Sequence, residues 1–298
     1  MINIKNICWE ALCVVWPEIA VRIQNKHILG KKINLHNPED LNEKVNYLKF
    51  HSDLDEWARL ADKYTVREYV MQRGLGDILV PIYGKYDTPE KMIADWALLP
   101  HSFIIKTNHG CGEIKVVKDK DAVDLEELRK EANNWLKERY GLVTNEKHYL
   151  KIKPCLIVEQ LLVDTSVLDF SRSLIDYKVW CFNGKPYCIF VAVDRDVEHV
   201  EAGHHVFFDS YDLQWNRIEG AMSGKTPLPD RILPKPKNLE RLLECASILS
   251  NGHKQVRVDF YDINGKIYFG EMTFTSQGGY MNYFSNDFLL ELGKQFDV

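Results

Sequence analysis

No CxxC pair occurs among the seven cysteines of this 298-residue sequence, and their number is odd. That disfavours both a disulfide framework and a thiolate zinc site, and points to reduced thiols in a cytoplasmic protein. Neither sign of charge dominates: 38 Lys and Arg stand against 43 Asp and Glu, a formal net charge of -5. Nucleic-acid binders present a concentrated basic surface, so no nucleic-acid partner is expected. No uninterrupted apolar run reaches the ~20 residues that span a bilayer. The most apolar stretch, ICWEALCVVWPEIAVRI, is interrupted by Glu10, Pro17, Glu18 and Arg22. It reads as an amphipathic helix packed on the domain, neither signal peptide nor membrane span. Peripheral contact with the inner face of a membrane, or with a partner, is its second reading. Repeats and low-complexity tracts are missing too. With 45% hydrophobic and 27% charged residues, this is an ordinary globular chain, long enough for one large or two modest domains.

What is present has a clear order. From Asn42 to about Gly74, Leu41, Val45, Leu48, Leu60, Tyr64 and Val70 recur at helical spacing. A short strand near Leu79–Tyr86 and a small helix in PEKMIADWALLP follow. HSFIIKT and IKVVKD then flank the glycine turn NHGCGE as a hairpin. Leu125, Leu128, Ala132, Trp135 and Leu136 mark a helix that covers a sheet face. PCLIVEQLLVD reads as a buried strand, and the polar stretch through Arg172 as a crossing between halves. IDYKVWCF and KPYCIFVAVD are joined by Asn183-Gly184, whose easy access to positive φ suits a tight hairpin turn. Pro227–Pro236 is a loop, Asn238–Leu249 a helix, and 256–274 the last hairpin.

In that hairpin VRVDFY alternates, placing Arg257, Asp259 and Tyr261 on one face and Val256, Val258 and Phe260 on the other. On the return strand Glu271, Thr273 and Thr275 share a face. A two-residue Asn264-Gly265 turn would set Asp259 opposite Gly270 and separate the carboxylates. A three-residue loop ending at Gly265 pairs Arg257 with Glu271 and unites Arg257, Asp259, Glu271 and Thr273; this register is the one expected. Paired carboxylates suit hard Mg²⁺, which takes oxygen ligands and bridges to phosphates, and an adjacent Arg suits phosphoryl oxygens. A polar sheet face with Arg–Glu pairing explains the same pattern. The turn Asn108–Glu113 offers small residues through which amides approach phosphate, with Lys106 beside it. An ordinary hairpin turn explains it equally. The turn lacks Gly-Lys-Ser/Thr and is followed by a strand, so it is no Walker loop, and the absence of HRD and DFG sets excludes a conventional protein kinase.

DKYTVREYV, FIIKTNHGCGE, LIVEQLL, DYKVWCFNGKP, VRVDFY and GEMTF, in this order, resemble the ATP-grasp superfamily. More closely, from about Leu41 to Gly279, the chain resembles the TupA-like ATP-grasp family associated with teichuronopeptide and other surface-polysaccharide biosynthesis. The resemblance implies an α+β ATP-grasp fold: a helical N-terminal region (1–75) and two α+β subdomains (76–172 and 173–298) enclosing ATP. It implies that Lys63 and Lys106 contact phosphates under a loop of His109, Gly110, Cys111 and Gly112. Glu159, Gln160 and Leu162 would border adenine, and Asp164 the ribose. Lys178 and Arg257 would contact phosphate or acyl-phosphate oxygens, and Asp259, Glu271 and Thr273 would hold Mg²⁺ or Mn²⁺. Thr273 replaces the Asn usual in the superfamily, with Gln277 or Asn282 as substitutes.

The implied reaction joins an amine donor, such as an amino acid, to a carboxylate acceptor through an acyl phosphate. The acceptor would be a uronic-acid-containing or peptide-like surface polymer or its precursor. Two rivals remain: a metal-dependent glycosyltransferase using Asp194-Arg195-Asp196 after YCIFVAVD, and a nucleotide-binding protein that has lost catalysis. His204-His205 lacks a ligand set, and Cys111 lacks the base and orienting group of a nucleophile.

Overall fold

The computed structural model describes residues 4–166, 171, 173–194, 206–225, 232–233 and 235–298. Helices lead. The apolar N-terminal stretch forms two helices, α1 (Ile4–Val15) and α2 (Pro17–Leu29), instead of the single one expected. Pro17 lacks an amide hydrogen and disfavours helical geometry in the residue before it; Trp16 accordingly sits at φ -130°, ψ 64°. The helical stretch from residue 42 is likewise divided, into α3 (Leu41–His51), α4 (Leu54–Ala61) and α5 (Val66–Gln72). Aspartates impose the divisions. Asp40 accepts from the Glu43 amide at the start of α3, and Asp53 from the Asp55 and Glu56 amides at the start of α4. Each satisfies amide hydrogens that the first helical turn leaves open.

The first sheet holds β1 (Ile82–Tyr86), β2 (Phe103–Thr107), β3 (Ile114–Val117) and β4 (Leu156–Glu159) in the order β1-β4-β2-β3, all antiparallel. Alternation in β2 sends Phe103 and Ile105 into a core beneath α6 (Pro89–Ala94) and α7 (Leu125–Trp135), with Met92, Leu128, Leu156 and Val158. Ile104 and Lys106 therefore face the opposite side.

The second sheet is larger. β5 (Asp176–Phe182), β6 (Lys185–Val193), β7 (Phe207–Tyr211), β8 (Gln255–Ile263) and β9 (Lys266–Thr273) run antiparallel in the order β7-β6-β5-β8-β9. Asn183 and Gly184, at φ 50° and 75°, make the tight β5–β6 turn. The core of this sheet takes in Val179, Val258 and Phe260. It also includes Leu41, Val45 and Leu60 from the N-terminal helices, and residues of α8 (Leu239–Ser250) and α9 (Asn286–Gly293). The Pro227–Pro236 loop, Arg195, Asp196 and His204-His205 fall wholly or largely outside the described residues.

A buried histidine marks one stability limit. His148 packs edge-on to Trp57, and neither ring nitrogen has a hydrogen-bond partner. Burial pushes its pKa down to about 3. Below pH 6.5 the unfolded chain binds a proton that the folded one refuses, so stability falls with pH towards 3. Urea titrations should lose about 3 kcal/mol between pH 7 and pH 4 from this group alone. His148→Phe should remove that part of the slope; an unchanged slope would rule the group out.

Candidate active site in the cleft between the sheets

The register of the β8–β9 hairpin decides the site. Asn264 (φ 55°) and Gly265 (φ 89°) form a two-residue turn between paired Ile263 and Lys266, so the expected three-residue loop is wrong. The shift occurs further along: between Phe260↔Phe269 and Asp259↔Glu271 the pairing slips by one residue at Gly270. This β-bulge sets Asp259 opposite Glu271 and Arg257 opposite Thr273, not opposite Glu271. The expected shared face results, by another device. A Cβ at Gly270 would lie 3.0 Å from the Asp259 carbonyl oxygen, which is why glycine occupies the bulge.

Pairing of β5 with β8 places Lys178 opposite Asp259. Lys178, Asp259 and Glu271 therefore form a charged row across three strands. Lys178 Nζ lies 2.5 Å from Asp259 and 3.4 Å from Asp176. Arg257 grips Asp259 with Nε at 2.7 Å and Nη2 at 2.8 Å, and Nη2 donates to Thr273 Oγ1 at 3.1 Å. Burial alone would lower the Arg257 pKa; the Asp259 charge and hydrogen bonds outweigh it, and the net shift is upward. Arg257 thus supports the row from beneath.

On the facing sheet Lys106 and Glu159 pair at 2.6 Å, and Arg67 approaches Glu159 at 3.8 Å. Burial lowers the Arg67 pKa, against the pull of Glu159. The glycine loop closes the end of the cleft. Asn108 pins its base through the Cys155 amide and the Lys153 carbonyl, and Gly110 and Gly112 take φ of 100° and 106°. Lys63, between α4 and α5, donates to the Gly110 carbonyl at 2.6 Å and lies 3.7 Å from Glu271. One side chain thus ties the loop to the second sheet.

Between these walls lies a cavity of ≈330 Å³, within the size range of small-molecule sites. Lys63, Lys106, Gly110, Cys111, Gly112, Glu159, Gln160, Leu162, Lys178, Asp259 and Glu271 line it. His109, Asp164, Arg257 and Thr273 do not. His109 is buried, with Nε2 at 3.2 Å from the Glu138 carbonyl, and burial lowers its pKa. Asp164 accepts from the Ser166 amide and hydroxyl in a local turn. Gln277 and Asn282 contact each other and also lie off the cavity.

Sequence reasoning missed several lining residues. Ile104 and Val116 are the reverse faces of strands whose core faces were recognised, and Asp176 lies two residues before Lys178 on the same face. Alternation was the signal for each. Leu174 and Phe269 join the apolar part of the lining, but no local pattern distinguishes them from core. Glu113 also lines the cavity, with Oε2 buried and without a partner, and burial raises its pKa.

An apolar slot leading to paired lysines and carboxylates, held between two α+β layers, is the architecture of the ATP-grasp class. Within it the chain belongs to the TupA-like ATP-grasp family, whose model matches residues 43–297. No curated protein matches the sequence.

Solved structures resemble it in architecture. They include the ADP complex of the N5-carboxyaminoimidazole ribonucleotide synthetase PurK (15% identity, TM-score 0.45, 78% of this chain and 50% of that one). D-alanine–D-alanine ligase from Helicobacter pylori is another (18%, 0.43, 88% and 68%). The same enzyme from Bacillus anthracis, complexed with ATP, is a third (15%, 0.41, 79% and 62%). The chain spans about half the length of the first of these.

Proposed function

We propose that the protein is an ATP-dependent carboxylate–amine ligase acting through an acyl phosphate. The observation that carries this reading is the charged row Lys178–Asp259–Glu271 facing Lys106 and Lys63 across one cavity. Adenine would occupy the apolar slot of Ile104, Val116, Leu162, Leu174 and Phe269 beside Glu159 and Gln160. Asp259 and Glu271 offer the oxygen donors that a hard divalent cation takes, and Glu271 is the more accessible, with a third of its side chain exposed. The donor set fits Mg²⁺, which when bound would offset phosphate charge.

The acceptor carboxylate would attack the γ-phosphorus and release ADP. The amine would then attack the acyl carbon, phosphate would leave, and the nitrogen would lose its proton. Lys63, Lys106 and Lys178 would hold phosphoryl oxygens in place, and the Arg257 clamp would keep Asp259 oriented, so the protein contributes positioning and charge. Thr273, bonded to Arg257, is a support for the row in this reading, not a ligand.

The two sheets would act as lobes with their boundary near residue 172. A uronic-acid or peptide-like surface polymer, or its precursor, remains the proposed acceptor, on family grounds alone. Incubation with ATP, Mg²⁺, pooled amino acids and uronic-acid acceptors should release ADP only when amine and acceptor are both present. Sugar transfer from a nucleotide sugar without ATP would refute the reading. Of the Asp194-Arg195-Asp196 motif of the glycosyltransferase alternative, Arg195 and Asp196 lie outside the described residues.

Among the described residues no helix is long and apolar enough to cross a membrane. Val14 and Val15 on α1, Trp16 at the joint, and Ile19 and Ile23 on α2 are nevertheless exposed, with Arg22 and Lys26, and the single acid Glu18, exposed beside them. This mix fits peripheral contact with an anionic membrane surface. The protein should sediment with phosphatidylglycerol vesicles more than with phosphatidylcholine ones, and Trp16→Glu with Ile19→Glu should abolish it. Equal sedimentation by the double variant would remove the proposal.

A further inference from the structure

Five carboxylates line the cavity: Glu113, Glu159, Asp176, Asp259 and Glu271. Four of them have a cation. Glu159 pairs with Lys106 at 2.6 Å, and Asp176 and Asp259 share Lys178 at 3.4 and 2.5 Å. Glu271 lies 3.4 Å from Arg257 and 3.7 Å from Lys63. Among the described residues Glu113 has no ion pair, and its buried Oε2 has no hydrogen-bond partner.

Glu113 stands at the phosphate end of the cavity. It closes the glycine turn, and a Cβ at Gly110 would lie 3.0 Å from its Oε2. Lys63 is near, but its ammonium donates to the Gly110 carbonyl at 2.6 Å. Burial raises the Glu113 pKa, its own amide and Lys63 offset part of the rise, and Glu138 adds to it; the net shift is upward. The turn itself does not call for a carboxylate. Its bond to Glu113 runs from the Thr107 amide to the Glu113 carbonyl at 3.2 Å, and any residue supplies that carbonyl. A carboxylate oxygen buried without a partner costs free energy, and beside a phosphate loop its charge also opposes the nucleotide. Groups held at such a cost in a cleft are candidates for chemistry.

The ligase reaction has a step for which such a group is suited. An amino acid at neutral pH is an ammonium ion, whose nitrogen has no lone pair to attack with until a proton leaves. Lys63, Lys106 and Lys178 are engaged as donors, and Asp259 and Glu271 are taken by the divalent cation. Resting on the ligase reading, we infer that Glu113 is the proton acceptor for the amine substrate. The ammonium gives one proton to the Glu113 carboxylate, and the freed lone pair attacks the acyl carbon to form the C–N bond. The bond from that carbon to the phosphate oxygen breaks, its electron pair leaves with phosphate, and phosphate takes the second nitrogen proton. Glu113 then returns its proton to solvent. A carboxylate that binds its proton more tightly than an exposed one is the stronger base.

Hydroxylamine separates this step from the rest of the reaction. At pH 7 it is already a free base and attacks an acyl phosphate without first losing a proton, giving a hydroxamate. With ATP, Mg²⁺ and the uronic-acid acceptors at pH 7, Glu113→Gln should form amide from pooled amino acids about a hundred-fold more slowly than the wild type, while hydroxamate formation should fall less than about three-fold. The hydroxamate reaction also reports that the variant is folded and still phosphorylates the acceptor. Equal losses with both nucleophiles, or unaltered amide formation, would overturn the assignment. So would loss of the Mg²⁺-dependent part of ATP affinity in Glu113→Gln, which would make Glu113 a cation ligand. Failure of the ligase reading looks different: the wild type then releases no ADP with either nucleophile, and this role falls with it.

Discussion

Glu271→Gln is expected to lower ATP turnover by about two to three orders of magnitude while leaving the fold intact. The side chain is a third exposed and lines the cavity opposite Asp259, so an isosteric amide removes charge without disturbing packing. Asp259→Asn should lose as much turnover, and stability as well. Lys178 and Arg257 are buried against this carboxylate, and neutralising it leaves two cations facing an amide. A readout independent of turnover is nucleotide affinity with and without Mg²⁺: the wild type should bind ATP more tightly with the ion, and both variants should lose that difference. Near-normal turnover in both variants would refute the assignment of this pair.

Arg257→Met should destabilise the protein by about 3–5 kcal/mol, measured by urea unfolding, because it strips one partner from a buried ion pair. Asp259 would keep Lys178 at 2.5 Å but lose two guanidinium bonds, and Ser276 and Thr273 would lose their donor. Arg257→Lys should recover little, since an ammonium cannot reproduce the two-pronged grip. A loss below about 1 kcal/mol in Arg257→Met would show that the pair only balances its desolvation. The distinction bears on mechanism: Arg257 does not line the cavity, so its effect on turnover should follow from Asp259's misplacement and not from a lost substrate contact.

Much of the architecture was legible in linear order. Alternation in FIIKT separates Phe103 and Ile105 from Lys106, alternation in VRVDFY sets Asp259 apart from Val258, and Asn183-Gly184 marks its own turn. Each is a local consequence of backbone geometry, readable within a few residues. The order of motifs carried the family, since their co-occurrence constrains far more than any one of them.

The tertiary structure decided what lies between distant segments. Nothing local in GEMTF announces that the register shift belongs at Gly270 and not at the turn; it depends on the close approach of the Asp259 backbone, a contact across strands. Lys178 meets Asp259 only because β5 pairs with β8 across 81 positions of sequence. His109 shares the glycine loop with Gly110, yet its ring turns into the protein towards Glu138. The direction of a loop side chain follows the packing around it and has no period to betray it. The sequence by itself therefore determined which groups were available and on which strand faces. Sheet pairing and the bulge determined which met, because long-range register is set by packing that no single segment contains.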